Sequence, residues 1–230
     1  SMERKVPFVE GCYYHIYNRG TDKRNIFLDN GDYERFLYLL FACNDANPVF
    51  NSQYHYRGFA SIQEERKRDK LVDIVCFCLM PNHFHIILRQ VKEKGIPLFM
   101  QKLGTGYTMY FNIKQKRSGV LFQGVFKAVQ IDKQNYLDRL VTYVHLNPVE
   151  LIEPKWREKE IKNWRNAQKF SQEYLWSSYR DYISGGRFGS ILSMDMIGEL
   201  FGSLSDHKKI AKEFLNADAD YLKGYSIDFL

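Results

Sequence analysis

The sequence has 230 residues, of which 45% are hydrophobic and 26% are charged, and its formal net charge is +6. This composition is typical of a soluble globular protein, and an aromatic content of 16% argues against intrinsic disorder. The length allows one domain with an appendage, and the basic charge fits a polyanionic partner without requiring one.

The cellular compartment is predicted from the lack of membrane-spanning, signal-peptide and paired-cysteine patterns in the sequence. No apolar run approaches the roughly 18 to 20 residues that a membrane-spanning helix needs, and no signal-peptide pattern is evident. The four cysteines show no paired zinc-binding spacing. We therefore expect a reduced, cytoplasmic protein with no membrane partner.

The first half of the chain predicts three strands and one helix. Residues 11–19 are dense in β-forming residues, and residues 32–44 have apolar residues at helical spacing. Residues 48–70 are polar and lack a clear period, which predicts a long surface excursion. The apolar run 71–79 then predicts a strand that forms a hairpin with a strand starting at residue 83, and both are expected at the centre of a sheet.

The second half predicts a helix over 97–116, a strand over 125–131 and a third helix over 133–146. Residues 184–189 are rich in glycine and predict a linker, and two short helices are expected in 191–230.

The order strand, helix, strand, strand, helix, strand predicts an α+β fold of the ferredoxin-like, split βαβ type with an antiparallel sheet. The third helix is added to this unit, and a small helical tail follows. We therefore expect a catalytic domain over residues 1–183 and a linker with a short helical appendage over 184–230.

The second strand of the hairpin carries two histidines. Successive strand side chains point to opposite faces, so His83 and His85 share one face while Phe84, Ile86 and Leu88 share the other. Neutral imidazole is the commonest protein metal ligand, so the pair is a candidate for part of a divalent-metal site. In isolation, such a pattern more often reflects two solvated or hydrogen-bonded histidines than a metal site.

The third helix offers the missing parts of such a site. On its predicted surface Tyr136, Tyr143 and Asn147 lie along the edge of the apolar stripe that packs against the sheet. An amide oxygen and two imidazoles would leave positions open on Mg²⁺ or Mn²⁺ for the oxygens of a phosphodiester. A phenol has a pKa near 10, so its deprotonation at pH 7 requires about 4 kcal/mol, which the metal-bound phosphate must offset.

These motifs resemble those of the HUH single-tyrosine transposases, which are IS200-like, and in particular the branch associated with repetitive extragenic palindromes. The resemblance covers roughly residues 8 to 183. Its motifs are His15-Ile16-Tyr17-Asn18-Arg19-Gly20, Met80-Pro81-Asn82-His83-Phe84-His85, Leu121-Phe122-Gln123-Gly124, Tyr143-Val144-His145-Leu146-Asn147-Pro148 and Trp176-Ser177-Ser178-Tyr179.

The resemblance implies a DNA nicking and joining enzyme. Tyr143 would be the nucleophile that forms a 5′-phosphotyrosine, and His83, His85 and Asn147 would bind the Mg²⁺ or Mn²⁺ ion. Other members use Gln where this chain has Asn147, which puts this ligand in doubt. The implied substrate is single-stranded DNA folded into an imperfect hairpin.

Basic and amide side chains form a predicted DNA-contact set. Each of them, taken alone, is more often a solvated surface group, but together they could follow a phosphate backbone. The set is Arg19, Lys23, Arg24, Lys114, Lys116, Arg117, Gln123 and Lys127.

Two other interpretations stay open. The chain could be a domesticated hairpin-DNA-binding protein without turnover, or a metallohydrolase that uses activated water while Tyr143 only packs. Tyr136 is a rival nucleophile, and His15 and His145 are expected to be structural. The sequence leaves open the DNA sequence, the metal used, and whether the active unit is a monomer or a homodimer.

Overall fold

The protein is described by a computed structural model over residues 7–48, 68–132, 134–158, 160–201 and 204–216. Most of the surface excursion expected at 48–70 lies outside these residues. The strands are β1 Tyr13–Arg19, β2 Val72–Met80, β3 His83–Gln90 and β4 Lys127–Ile131. The helices of the described residues are α1 Asn30–Ala42, α2 Gly95–Lys114, α3 Gln134–Leu146, α4 Trp164–Glu173, α5 Tyr179–Ile183, α6 Met194–Phe201 and α7 Leu204–Asn216.

The four strands form one antiparallel sheet in the order β2-β3-β1-β4. This order confirms the predicted α+β fold with its split βαβ arrangement. One expectation was wrong, because β2 lies at the edge of the sheet rather than at its centre.

The edge of β2 is covered, which explains why its sequence looks like that of a central strand. Leu79 donates its backbone N–H to Trp176, and Phe77 donates to the Ser178 hydroxyl and accepts from the Ser178 N–H, at 2.9 to 3.1 Å. A covered edge leaves few strand groups open to water, so a continuous apolar run is stable there.

The two faces of the sheet pack against different helices. On one face Phe84 contacts Phe36 of α1, with ring centroids 5.2 Å apart. On the other face His85 contacts Tyr143 of α3, with ring centroids 6.1 Å apart. The alternation along β3 therefore sends its histidines to the α3 side, as predicted.

Helix α3 is followed directly by a 3₁₀ helix, Asn147–Leu151, and a second 3₁₀ turn comes at Trp156–Glu158. Asn147 is therefore the first residue of the 3₁₀ segment, and its side chain is fully buried. The short connection returns the Trp156 ring to α3, where it stacks on Tyr143 with ring centroids 5.6 Å apart.

The segment expected to be a linker is anchored to the body. Phe188 is buried, packs on Phe77 of β2 and donates its N–H to Asp181 at 2.8 Å. Helices α6 and α7 follow it, in agreement with the two short helices expected there. Within the described residues, the helices lack the combination of length and apolar character that would let one span a bilayer.

Candidate active site

His83 is held by the residue that precedes it. Its Nδ1 lies 2.6 Å from Asn82 Oδ1, and because an amide oxygen only accepts hydrogen bonds, Nδ1 must carry the proton. In the neutral ring Nε2 then has a free lone pair. That nitrogen is buried and has no hydrogen-bond partner.

His85 is held in the same way from the neighbouring strand. Its Nδ1 lies 2.9 Å from His15 Nε2, and the two rings stack with centroids 5.0 Å apart. When His85 Nδ1 donates this bond, its Nε2 also presents a lone pair, and this atom too is buried without a partner. His15, expected to be a structural residue, therefore supports the histidine pair.

Both members of the pair are neutral at physiological pH. Burial lowers the pKa of His83 to about 3, with smaller effects from the positive charges of Arg19 and Arg157. Burial likewise lowers the pKa of His85 well below its usual value, helped by His15 and His83. Neutral imidazole is the form that binds metal ions.

Tyr143 contacts one member of this pair, His85. Its ring meets the His85 ring edge to face, and the side chain is only 3% exposed. Asn147, one turn later, donates from Nδ2 to the Tyr143 carbonyl oxygen at 2.9 Å. Tyr136, the rival nucleophile, is partly exposed on a turn of α3 nearer its N-terminus.

Arg157 joins the two α3-side residues and was missed by the sequence analysis. Its Nε donates to the Tyr143 phenol oxygen at 3.1 Å, and its Nη2 donates to Asn147 Oδ1 at 3.0 Å. Its Nη1 lies 2.6 Å from Glu150 Oε2. Burial lowers the pKa of Arg157, but Tyr143 and Glu150 outweigh this effect and raise it, so the guanidinium is cationic.

The donor set fits a metal ion only if an amide takes part. Among the described residues, no group of three or more His, Cys, Asp or Glu side chains could hold a metal ion. His83 supplies one nitrogen with a free lone pair, and His85 supplies a second in the tautomer in which its Nδ1 donates to His15. A third protein ligand would have to be another type of group. The Asn147 oxygen is such a group, although here it accepts from Arg157.

Part of the predicted DNA-contact set borders the histidine face. Arg19 lies opposite His83 in the pairing of β1 with β3, and its carbonyl oxygen accepts from the Gln123 N–H at 2.8 Å. The Lys127 ammonium lies 5.8 Å from the centre of the Tyr17 ring. Lys23 accepts a 3.3 Å hydrogen bond from Asn82 through its carbonyl oxygen.

Other members of the set have their charges engaged inside the protein. Lys114 forms ion pairs at 2.7 Å with Asp29 and Asp32. Arg117 donates to the Asn112 side chain and to the Val120 carbonyl oxygen. At the surface, Arg24 lies 3.4 Å from Asp22. For Lys116 the structure gives a left-handed backbone, with φ of 50°, and within the described residues its charge is not among those engaged.

A family model described as IS200-like transposase matches residues 8–147. Among solved structures, the chain is similar to a REP-associated tyrosine transposase bound to a REP hairpin. That match has a TM-score of 0.51 and 12% identity, and it covers 78% of this chain and 84% of that chain, so it concerns the fold. A match to tRNA(His) guanylyltransferase from Saccharomyces cerevisiae has a TM-score of 0.35 and 11% identity, over 95% of this chain and 84% of that one. No curated protein matches the chain.

Proposed function

The chain belongs to the IS200-like transposase family, and from this premise we propose that it nicks and rejoins single-stranded DNA through a covalent tyrosine intermediate. The observation that carries the proposal is the contact of the Tyr143 ring with His85, whose ring lies 5.1 Å from that of His83, together with the unpartnered, buried Nε2 of each histidine. Buried polar atoms without partners are rare in proteins and call for an explanation. A divalent metal ion held by the two Nε2 atoms would supply one.

Tyr143 is the proposed nucleophile. Its phenol oxygen attacks the scissile phosphorus, the bond from phosphorus to the 3′ oxygen breaks, and the phenol proton passes to solvent or the departing oxygen. The products are a 5′-phosphotyrosine and a free 3′-OH. A 3′-OH can later attack the phosphotyrosine, which rejoins DNA without an external energy source.

His83 and His85 are the proposed ligands of a divalent metal, Mg²⁺ or Mn²⁺. Asn82 and His15 orient the rings so that both Nε2 atoms present lone pairs, which is the usual support around metal-binding histidines. Such an ion supplies Lewis-acid polarisation of a phosphate oxygen. Asn147 is the proposed third ligand, since an amide oxygen has two lone pairs and Arg157 uses one of them.

Hairpin-containing single-stranded DNA is the proposed substrate. Arg19 lies beside His83, and Gln123 and Lys127 follow the same border of the sheet, so a phosphate backbone there would meet positive charge close to the nucleophile. The solved transposase with a similar fold was bound to a REP hairpin. For Lys23, Arg24, Lys116 and Arg117 we keep the predicted contact role, and Lys114 is the weakest member because two carboxylates neutralise it.

We propose that residues 1–183 carry this chemistry and that 184–230 form an appendage. The residues named in the site, from His15 to Arg157, all precede residue 183. The four cysteines are free thiols, which favours a reduced compartment such as the cytoplasm.

The test is formation of a covalent protein–DNA adduct. We expect a 3′-labelled single strand with an imperfect hairpin, incubated with the protein and Mn²⁺, to yield a labelled protein–DNA band that survives denaturing electrophoresis. Tyr143→Phe and addition of a chelator should each abolish this band, because the first removes the nucleophile and the second the metal.

Tyr136→Phe is the matched control, since it makes the same change on the same helix and should leave the adduct unchanged. Binding without any adduct would instead support a DNA-binding protein without turnover. Cleavage that persists in Tyr143→Phe would contradict the nucleophile and support hydrolysis by water.

A further inference from the structure

The Arg157 guanidinium contacts three residues on one face of α3 and of the 3₁₀ segment that follows it. Its three nitrogens reach Tyr143 Oη, Asn147 Oδ1 and Glu150 Oε2 at 2.6 to 3.1 Å. These partners are spaced four and three residues apart, which places them on one side of a helical segment. A planar fork with fixed donor directions can hold three such acceptors at once, whereas a lysine ammonium cannot hold them in this geometry.

The guanidinium is packed as well as bonded. Its carbon lies 5.4 Å from the centre of the Trp156 ring and 5.9 Å from that of the Tyr143 ring, and 31% of the side chain is exposed. Trp156 in turn stacks on Tyr143 and contacts Phe214 of α7. Arg157 is therefore held from several sides, and it restricts the position of the Tyr143 phenol oxygen.

The same residue opposes metal binding. One lone pair of Asn147 Oδ1, the proposed third ligand, is occupied by Arg157, whose guanidinium nitrogen lies 3.0 Å from that oxygen. Because like charges repel, a cation this close to a proposed ligand atom disfavours a divalent cation beside the same atom.

We propose that Arg157 is the positioning residue of the Tyr143 nucleophile, and that it does this while weakening the affinity of the site for its metal ion. The first half rests on the tyrosine chemistry proposed above, and the second half rests only on the proposed metal site. The two halves predict changes of opposite sign when Arg157 is replaced. A residue that only stabilised the fold would lower both the cleavage rate and the metal affinity.

The experiment compares Arg157→Gln with Arg165→Gln, an exposed arginine on α4 whose guanidinium lies over Trp164. The free Mn²⁺ signal in electron paramagnetic resonance gives the metal affinity of each protein without DNA. We expect Mn²⁺ to bind about 3- to 10-fold more tightly to Arg157→Gln than to the wild type, because a nearby positive charge is gone. Arg165→Gln should bind Mn²⁺ as the wild type does.

The second measurement is the single-turnover rate of adduct formation at saturating Mn²⁺, with a hairpin oligonucleotide selected by its binding to the wild-type protein. We expect this rate to fall roughly 10- to 100-fold in Arg157→Gln, as for other residues that support a reactive group, with little change in oligonucleotide affinity. In Arg157→Ala, free guanidinium ion should restore part of the rate, and tetramethylammonium should not.

A lower Mn²⁺ affinity in Arg157→Gln would overturn the proposal, as would an unchanged rate of adduct formation. If Arg157→Ala does not fold, Arg157→Lys replaces it, and its rate should lie between those of the wild type and Arg157→Gln. If the wild type forms no adduct, the proposed function fails, but the Mn²⁺ comparison still decides the second half.

Discussion

Two clusters of buried histidines in this molecule differ in what their nitrogens contact. His83 and His85 lie on β3, each with a buried Nε2 that has no partner. His145 lies on α3, and its Nε2 is 2.9 Å from the Ser178 hydroxyl. Its ring stacks on Tyr179, with centroids 5.1 Å apart.

The difference distinguishes His145 from the proposed metal ligands His83 and His85, whereas burial and pKa do not. Burial lowers the pKa of His145 well below its usual value, with a contribution from His207, just as burial does for the β3 pair. Of these three histidines, His83 and His85 combine this neutral state with a buried Nε2 that has no hydrogen-bond partner. A bonded imidazole stabilises the fold, and an orphaned one needs a ligand.

The largest expected effect is a pH dependence of the free energy of unfolding, to which both histidine clusters contribute. The unfolded chain binds protons on its histidines below about pH 6.5, whereas the folded chain keeps His15, His83, His85 and His145 neutral, with values of about 3 for the first two. The free energy of unfolding should therefore fall as the pH drops below 6.5, by about 1.4 kcal/mol per pH unit for each histidine.

Urea unfolding of chelator-treated protein at pH 7, 6 and 5, followed by tryptophan fluorescence, measures this slope. Mn²⁺ should oppose the loss in the wild type and not in His83→Ala, because only the β3 pair exchanges protons for metal. A stability that does not depend on pH in this range would contradict the shared neutral state.

The next largest effect is on the rate of adduct formation, and it should differ between the two histidine clusters. We expect His83→Ala to slow adduct formation about 1,000-fold, or about 4 kcal/mol, because the variant loses a proposed ligand of the metal that would stabilise the transition state. The measurement is the rate of adduct formation at saturating Mn²⁺. His145→Gln is the control, and the folded protein of this variant should form the adduct at the wild-type rate. Equal losses of rate in the two variants would show that the two histidine clusters do not differ in function.

A smaller effect, on the affinity for Mn²⁺, should follow from loss of the hydrogen bond that orients the ring of His83, a proposed metal ligand. Asn82→Ala removes the acceptor that orients His83 Nδ1, and we expect the affinity for Mn²⁺ to fall roughly 10- to 100-fold. Asn112→Ala makes the same change in a side chain that bonds Gly119 and Arg117, and it should leave the affinity unchanged. Equal Mn²⁺ affinities for Asn82→Ala and the wild type would show that His83 needs no such support.

The smallest effect is expected in the structural cluster. Ser178→Ala removes the hydroxyl that bonds His145 and accepts from the Phe77 N–H on the β2 edge. We expect the free energy of unfolding to fall by about 1 to 3 kcal/mol, because a buried imidazole and a strand N–H lose their partner. The rate of adduct formation should not change, and Ser184→Ala at an exposed helix end provides the control.

Much of the fold could be predicted because short periodic patterns are local properties. The strands and the first three helices begin and end within a few residues of the predicted limits, and their order is sufficient for the split βαβ topology. The position of β2 in the sheet was predicted wrongly because an apolar run indicates that a strand is buried. It does not indicate whether a neighbouring strand or another segment of the chain buries it. Its cover, Trp176 to Ser178, comes almost 100 residues later.

The candidate site was predicted in part for the same reason. Strand alternation puts His83 and His85 on one face, and helical spacing puts Tyr143 and Asn147 on one edge. The contacts of Arg157 and the hydrogen bond between His15 and His85 could not be predicted, because each depends on how separate elements pack. No spacing rule links Arg157 to Tyr143 across two 3₁₀ turns, or His15 to His85 across 70 residues.

The sequence by itself determined the elements, the resemblance to a transposase family and the residue types available for the chemistry. Only the tertiary structure decided which nitrogens of the histidines are bonded, that Tyr143 lies against His85, and that Arg157 holds both Tyr143 and Asn147. The reason is geometric, because a hydrogen bond depends on distances of a few tenths of an ångström and on direction. Local patterns fix the face on which a side chain lies, and packing between elements fixes the atom that it meets.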